Sequence, residues 1–333
     1  TLSYPLFSVF LSYKPTKFFI PCHSLQAQLD TLLESVWDAF PQVIQNQIAI
    51  TWITYEAPYR VNTGGALSPE EFWQYQPQGA SYRGVELFDP DAMVHLFYLV
   101  ALQVWLEQGM VQPVAELERA MANMVMHSSH DAASYILDVL SGTTSGPSLP
   151  PGPVETWAAQ RNIVNRYFSS LGWPELRAIN VNQKTWCEGP YGRERDFLGK
   201  TLENRNRLTT EATARLLHSI VGGVSVSSSR SQAMMALLEQ PVLSKVNGAQ
   251  VADASDASSH DFSWRQRVRR WTQVAKMARS HHMATYIEAE DVHPYLLVVF
   301  TETEGEHREQ LMDFISQQVF EIAQKNLAES NSP

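Results

Sequence analysis

Cysteine is scarce in this sequence: Cys22 and Cys187 are the only two in 333 residues, and neither sits in a metal-type spacing. A scaffold stapled by several disulfides and a cysteine-rich zinc centre are both excluded, while two thiols neither require nor forbid an oxidising compartment. Basic charge is also short. Lys and Arg number 25 against 35 Asp and Glu, a net charge of −10, which argues against nucleic acid or an anionic membrane surface as partner, since both need clustered cations. The one basic run, Arg265 to Arg270, reads as a solvated face or a strand edge. A long apolar run is missing too. The most apolar stretch, Met93 to Leu106, is too short to span a bilayer and carries His95 and Gln103, so it reads as a buried core helix. No signal peptide is evident, which favours the cytoplasm; the start at Thr1 rather than Met leaves export after trimming of a leader as the alternative. There is no internal repeat and no Gly-rich phosphate loop, and no cofactor is expected.

The apolar content of 44% with 18% charge is that of a globular chain long enough for one domain or two. Leu25, Leu29, Leu32, Leu33, Val36 and Phe40 recur at helical spacing over 24–40. Ile48 to Tyr55 is β-branched and aromatic, a buried strand, and Asn62 to Gly65 has turn chemistry. Asp89-Pro90 then opens the apolar helix, with Asp89 as cap and Pro90 in the first helical position. Helices follow over Val114–Val125 and from the His127–Asp131 stretch to Gly142. The Ser-, Gly- and Pro-rich stretch 141–153 reads as a surface loop. Further helices are expected at 155–171, 210–221 and 230–239, the last stopped by Pro241. A loose polar stretch at 248–263, strands at about 271–288 and 294–303, and a final helix over 306–326 complete the chain. This order implies a sheet built from both chain ends, with a helical part inserted between.

Four stretches in order give this outline a specific likeness. They are Phe88 to Leu96 at the start of the apolar helix, Met126-His-Ser-Ser-His-Asp-Ala-Ala133, Asn206 to Leu217 with its Thr-Thr helix start, and Val274-Ala-Lys-Met-Ala-Arg279. Together they resemble the serine β-lactamase and penicillin-binding (DD-peptidase) superfamily over roughly residues 24–326. The resemblance implies an α/β (α+β) fold: an antiparallel sheet from both chain ends packed on helices, with an all-helical subdomain. It further implies one domain over 1–333, with 24–90 and 243–326 as the sheet part and 91–242 as the helical part.

The same resemblance implies a nucleophilic serine and a lysine one turn later at the start of the central helix. Ala92 and His95 stand in those places. None of the seven lysines has a serine three residues before it, so Ser-x-x-Lys is absent from the chain. Ser128 and Lys276 match the family's relay serine and pocket lysine. Ser129 and His130 replace its Asp-Asn, and Met277 and Ala278 replace its Thr-Gly. Glu188, Glu194 and Glu203 all fall in the loop that would carry a deacylating glutamate, and no motif selects among them.

On this likeness His95, Ser128, His130 and Lys276 border one cleft. One reading makes Ser128 a relocated nucleophile, with Lys276 lowering its pKa and His95 or His130 as base. The plainer one makes them inherited pocket positions that form structural hydrogen bonds or hold a ligand. A metal site from His95 and His130 with His127 or His281 lacks any supporting short spacing, and no metal is expected. His281 and His282 on a strand would face opposite ways, leaving one exposed. Arg279 beside Lys276 suits a carboxylate or a peptide C-terminus, with Ser129 and Met277 as further ligand contacts. Trp37, Trp52, Trp105 and Trp157 read as core; Trp173, Trp186 and Trp264 read as rim of a pocket. Three functions are therefore carried forward. The first is a diverged or non-catalytic member binding a small molecule or peptide, the second an amide or ester hydrolase using Ser128, and the third a scaffold whose cleft is closed by Met277 and the 141–153 loop.

Overall fold

The computed structural model describes residues 17–59, 65–240, 268–277, 279–303 and 307–330. The turn stretch at 62–64, Pro241, the 248–263 stretch, Trp264 and Ala278 lie outside the described residues. Seven strands form one sheet: β1 (Ile20–Pro21), β2 (Ile48–Thr54), β3 (Gln78–Tyr82), β4 (Glu239–Gln240), β5 (Arg269–Met277), β6 (Ser280–Ala289) and β7 (Val292–Thr301). Their spatial order is β1-β3-β2-β7-β6-β5-β4. Every pair is antiparallel except β1 with β3, which run parallel.

Eleven helices accompany it among the described residues: α1 (His23–Ala39), α2 (Pro69–Phe72), α3 (Val94–Glu107), α4 (Ala115–Met126), α5 (His130–Ser141), α6 (Pro153–Arg161), α7 (Ile163–Ser170), α8 (Gly192–Leu198), α9 (Thr210–Val221), α10 (Ser228–Leu238) and α11 (His307–Ser330). The expected sheet from both chain ends is present: β2 of the first half pairs with β7 of the second along seven residues, Ile48 to Thr54. The helical middle supplies one short edge strand, β4.

The strands bury both faces, so each alternates between two cores. Ile48, Ile50 and Trp52 of β2 and Leu297 and Val299 of β7 pack on α1 and α11 through Leu29, Leu33, Ile315 and Val319. Ala49, Ile53, Val298 and Phe300 face α3 and α9 on the other side. α3 is buried all round, from Val94 to Trp105, as its unbroken apolar run requires. Two expectations change. The helix at 155–171 is two helices, α6 and α7, broken at Asn162. The strand at 271–288 is a hairpin, with β5 and β6 meeting at Met277 and Ser280. α5 ends at Gly142, whose φ of +64° suits a residue without Cβ.

Candidate functional site

The start of α3 is an Asp89-Pro90 turn followed by one 3₁₀ turn, Asp91–Met93. Pro90 occupies the cap position rather than the first helical one, and the Asp89 carboxylate lies 3.5 Å from the Asp91 amide nitrogen. Asp91 is held at φ +53°, a left-handed conformation uncommon outside glycine and asparagine. Ser280 Oγ donates to its carboxylate at 2.7 Å, and burial raises the Asp91 pKa. Ala92 is 2% exposed, so the expected nucleophile position is an alanine sealed in the core.

His95 is fully buried. Its Nδ1 donates to the Met124 carbonyl at 3.3 Å, and its Nε2 takes the Thr185 hydroxyl at 3.2 Å. Burial and the neighbouring His130, whose ring centre lies 6.0 Å away, push its pKa down to about 3. Both nitrogens are spoken for and the ring is neutral, which leaves no lone pair for a substrate proton. Ser128, at φ +49°, donates its hydroxyl to the Val274 carbonyl on β5 at 3.1 Å. Ser129 caps α5 by accepting from the Ala132 N–H. His130 begins α5, and its Nδ1 is buried without a partner.

Lys276 is not brought to this group. Its strand neighbour Ala275 belongs to the core against α3, so Lys276 projects to the other face. There its Nζ lies 3.3 Å from Glu309 of α11, and His281 is its cross-strand partner. Ser128 makes no hydrogen bond to Lys276, His95 or His130 among the described residues. His281 and His282 do face opposite ways, but both are buried: His282 Nε2 donates to the Asp89 carbonyl at 2.8 Å and its Nδ1 accepts the Thr301 amide, so neither is the exposed histidine expected. Among the described residues no cluster of three or more His, Cys, Asp or Glu could hold a metal ion.

The open cleft lies beside this group. It measures about 700 Å³ and runs between the β5–β6 turn, the 89–91 turn and the segment 183–190. Met277 and Arg279 line it, whereas Ser129, the third residue expected as a ligand contact, does not, and neither do Ala92, His95, Ser128, His130 and Lys276. The sequence reading missed Asp91, Gln183, Lys184, Arg205 and Ser280, which do. Trp186 stands at the cleft as the rim reading had it; Trp173 instead packs on Trp73 and Arg215.

Behind the cleft wall is a buried ion cluster. Arg161 reaches Asp138 at 3.0 Å and Glu194 at 2.6 Å, and Lys184 reaches Asp138 at 2.8 Å. Ser145 bridges Lys184 and Glu194, so the 141–153 loop is pinned to the cluster rather than laid across the cleft. Glu194 is consumed there, while Glu188 and Glu203 are exposed.

The chain matches the beta-lactamase enzyme family over residues 116–323. No curated protein matches it. Among solved structures it is similar to the beta-lactamase from Sphaerobacter thermophilus DSM 20745, at TM-score 0.55 and 14% identity over 88% of this chain and 97% of that one. It is likewise similar to PBP-A, at TM-score 0.54 and 12% identity over 92% and 98%, and to a beta-lactamase from Chitinophaga pinensis DSM 2588, at 0.54 and 13% over 89% and 99%.

Proposed function

Because the chain belongs to the beta-lactamase enzyme family, we propose that it is a diverged member that binds a small molecule or peptide reversibly in the cleft beside its former catalytic group. The observation that carries this is the fate of the family's nucleophile position and of three of the four expected catalytic side chains, Ser128, His95 and Lys276. The nucleophile position is a buried alanine, Ser128 spends its proton on a strand carbonyl, His95 is locked neutral, and Lys276 pairs with α11. Nucleophilic catalysis needs a hydroxyl and a base within hydrogen-bond reach of each other. Removing the catalytic serine from a hydrolase costs on the order of 10⁶ in kcat. The cleft of about 700 Å³ falls in the range of small-molecule sites and speaks against a fully closed scaffold. In the same reading residues 24–90 and 243–326 act as the sheet subdomain and 91–242 as the helical one.

The test is to incubate the purified chain with a fluorescent penicillin and a fluorophosphonate and record intact mass. No adduct, together with reversible ligand binding, is the expected result. An adduct at Ser128, with turnover abolished by Ser128→Ala, would establish a hydrolase and overturn the proposal.

A further inference from the structure

The sheet carries a second concavity at the end away from the cleft. β2 leads from Gln47, which lines the cleft, to Thr54, which lines the other space. Seven residues at about 3.3 Å each set the two roughly 23 Å apart. This pocket measures about 830 Å³ and lies between the amino end of α1, the carboxyl end of α11, the segment 74–78 and the residues that follow β2.

Its charge is one-sided. No lysine or arginine is among the described residues that line it, whereas Glu56 and Glu329 are, and both are exposed. Both approach His293. The Tyr55 amide donates to the Pro294 carbonyl, which sets Glu56 beside the start of β7, and His293 Nε2 lies 3.4 Å from Ser330 Oγ at the end of α11. Glu56 forms no ion pair among the described residues, and Glu329 has a loose contact of 3.8 Å with Lys325 one turn back. Lys17, whose carbonyl accepts from Gln76 at the rim, turns its ammonium to Glu211 instead. The last carbonyls of α11, a helix of 24 residues, add partial negative charge. At the amino end of α1 the Ser24 and Leu25 amides face the Cys22 sulphur.

Part of the wall is aromatic. Tyr75 is 63% exposed, and Tyr59 is half-buried with the buried Tyr55 behind it, their ring centres 4.5 Å apart. The face of a tyrosine ring is electron-rich and attracts a cation, most of all one that carries its charge on a hydrocarbon. An anion would meet two carboxylates and no lysine or arginine, and a purely apolar molecule would strip water from them without return.

We infer that this pocket binds a small organic cation, an alkylammonium, paired with the Glu56 carboxylate and with its methyl or methylene groups against Tyr59 and Tyr75. The Glu329 carboxylate adds attraction from the α11 side. The net charge of −10 raises the concentration of such cations at the surface. This site is separate from the cleft and does not depend on what the cleft holds.

The experiment titrates the full chain with choline, putrescine and 3,3-dimethyl-1-butanol, the uncharged isostere of choline, by calorimetry at low salt. Saturable binding of choline or putrescine with Kd of about 1 mM or tighter is expected, and none of the isostere over the same range. Glu56→Gln should weaken the cation about fivefold. Tyr75→Leu, which keeps an apolar surface but no ring face, should weaken it about twofold. Both side chains are exposed, so the melting temperature should not move. The thiols report the location, since Cys22 lines this pocket and the exposed Cys187 does not. Choline should slow methanethiosulfonate labelling of Cys22 in proportion to its occupancy and leave Cys187 unaffected. The inference is overturned if neither cation binds, or if the isostere binds as tightly as choline. Binding that neither variant weakens, or that leaves Cys22 labelling unchanged, overturns it as well.

Discussion

Arg161 offers the sharpest test of how the cleft wall is held. Its guanidinium is 0% exposed, bonded to Asp138 and Glu194 and stacked 4.9 Å from the Trp157 ring. Arg161→Met keeps most of the volume and the apolar contact but leaves Glu194, itself 0% exposed, with only Lys184 at 3.8 Å as counter-charge. Breaking a buried pair from one side costs about 3–5 kcal/mol, because the stranded charge is neither solvated nor paired. The entropy of unfolding for 333 residues is about 0.7 kcal/mol/K at roughly 2.1 cal/mol/K per residue. The melting temperature should accordingly fall by about 4–7 °C. Adding Glu194→Met removes the stranded charge, so the double variant should recover most of the loss. Scanning calorimetry of parent, single and double variants checks this. A single variant within about 1 kcal/mol of the parent, or a double variant no better than the single, would refute the view that the cluster's worth lies in mutual neutralisation.

Acid should destabilise the fold in a way traceable to buried histidines. His95 and His218 have pKa values pushed down to about 3, and His281 and His282 to about 4, in each case chiefly by burial. In the unfolded chain these rings take a proton near pH 6.5, so stability is full above that value and falls as pH drops from 6.5 toward 4, by about 1.4 kcal/mol per pH unit per linked ring. Urea unfolding of His95→Gln at pH 7 and pH 5 should show a shallower loss than the parent; an equal loss would sink the linkage. Lys276→Met removes a half-exposed pair with Glu309 and should cost less than about 1 kcal/mol while leaving ligand affinity in the cleft unchanged, and a collapse of affinity would place the lysine back in the site. Leu202 sits at φ +61°, so Leu202→Gly should raise stability by about 1 kcal/mol if the relief of left-handed strain outweighs glycine's added unfolded-state freedom; a lower melting temperature would show that it does not.

Long elements with one period were legible in the sequence. The Leu25–Phe40 stripe, the apolar run of α3, the β-branched run of β2 and the Thr-Thr start of α9 each carry their own signal, and the order of four family-like stretches pointed to the architecture. Short elements were not. β3 reads Gln-Gly-Ala-Ser-Tyr and β1 is two residues long, so neither has a pattern of its own; β3 exists because β2 offers it an edge, and β1 because β3 in turn does. The β5–β6 hairpin was hidden because Lys276 to His281 contains no glycine or proline to mark its turn.

By itself the sequence determined the family, the sheet drawn from both chain ends and the loss of Ser-x-x-Lys, since each depends only on residue identity and order along the chain. Only the tertiary structure decided which side chains share a space. In a strand one step of register reverses the facing of a residue, and this alone sends Lys276 to α11 and Met277 to the cleft. Asp91, Gln183 and Ser280 lie far apart in the chain and carry no common motif; they line one wall because the 89–91 turn, the 183–190 segment and the β5–β6 hairpin are packed against a single core.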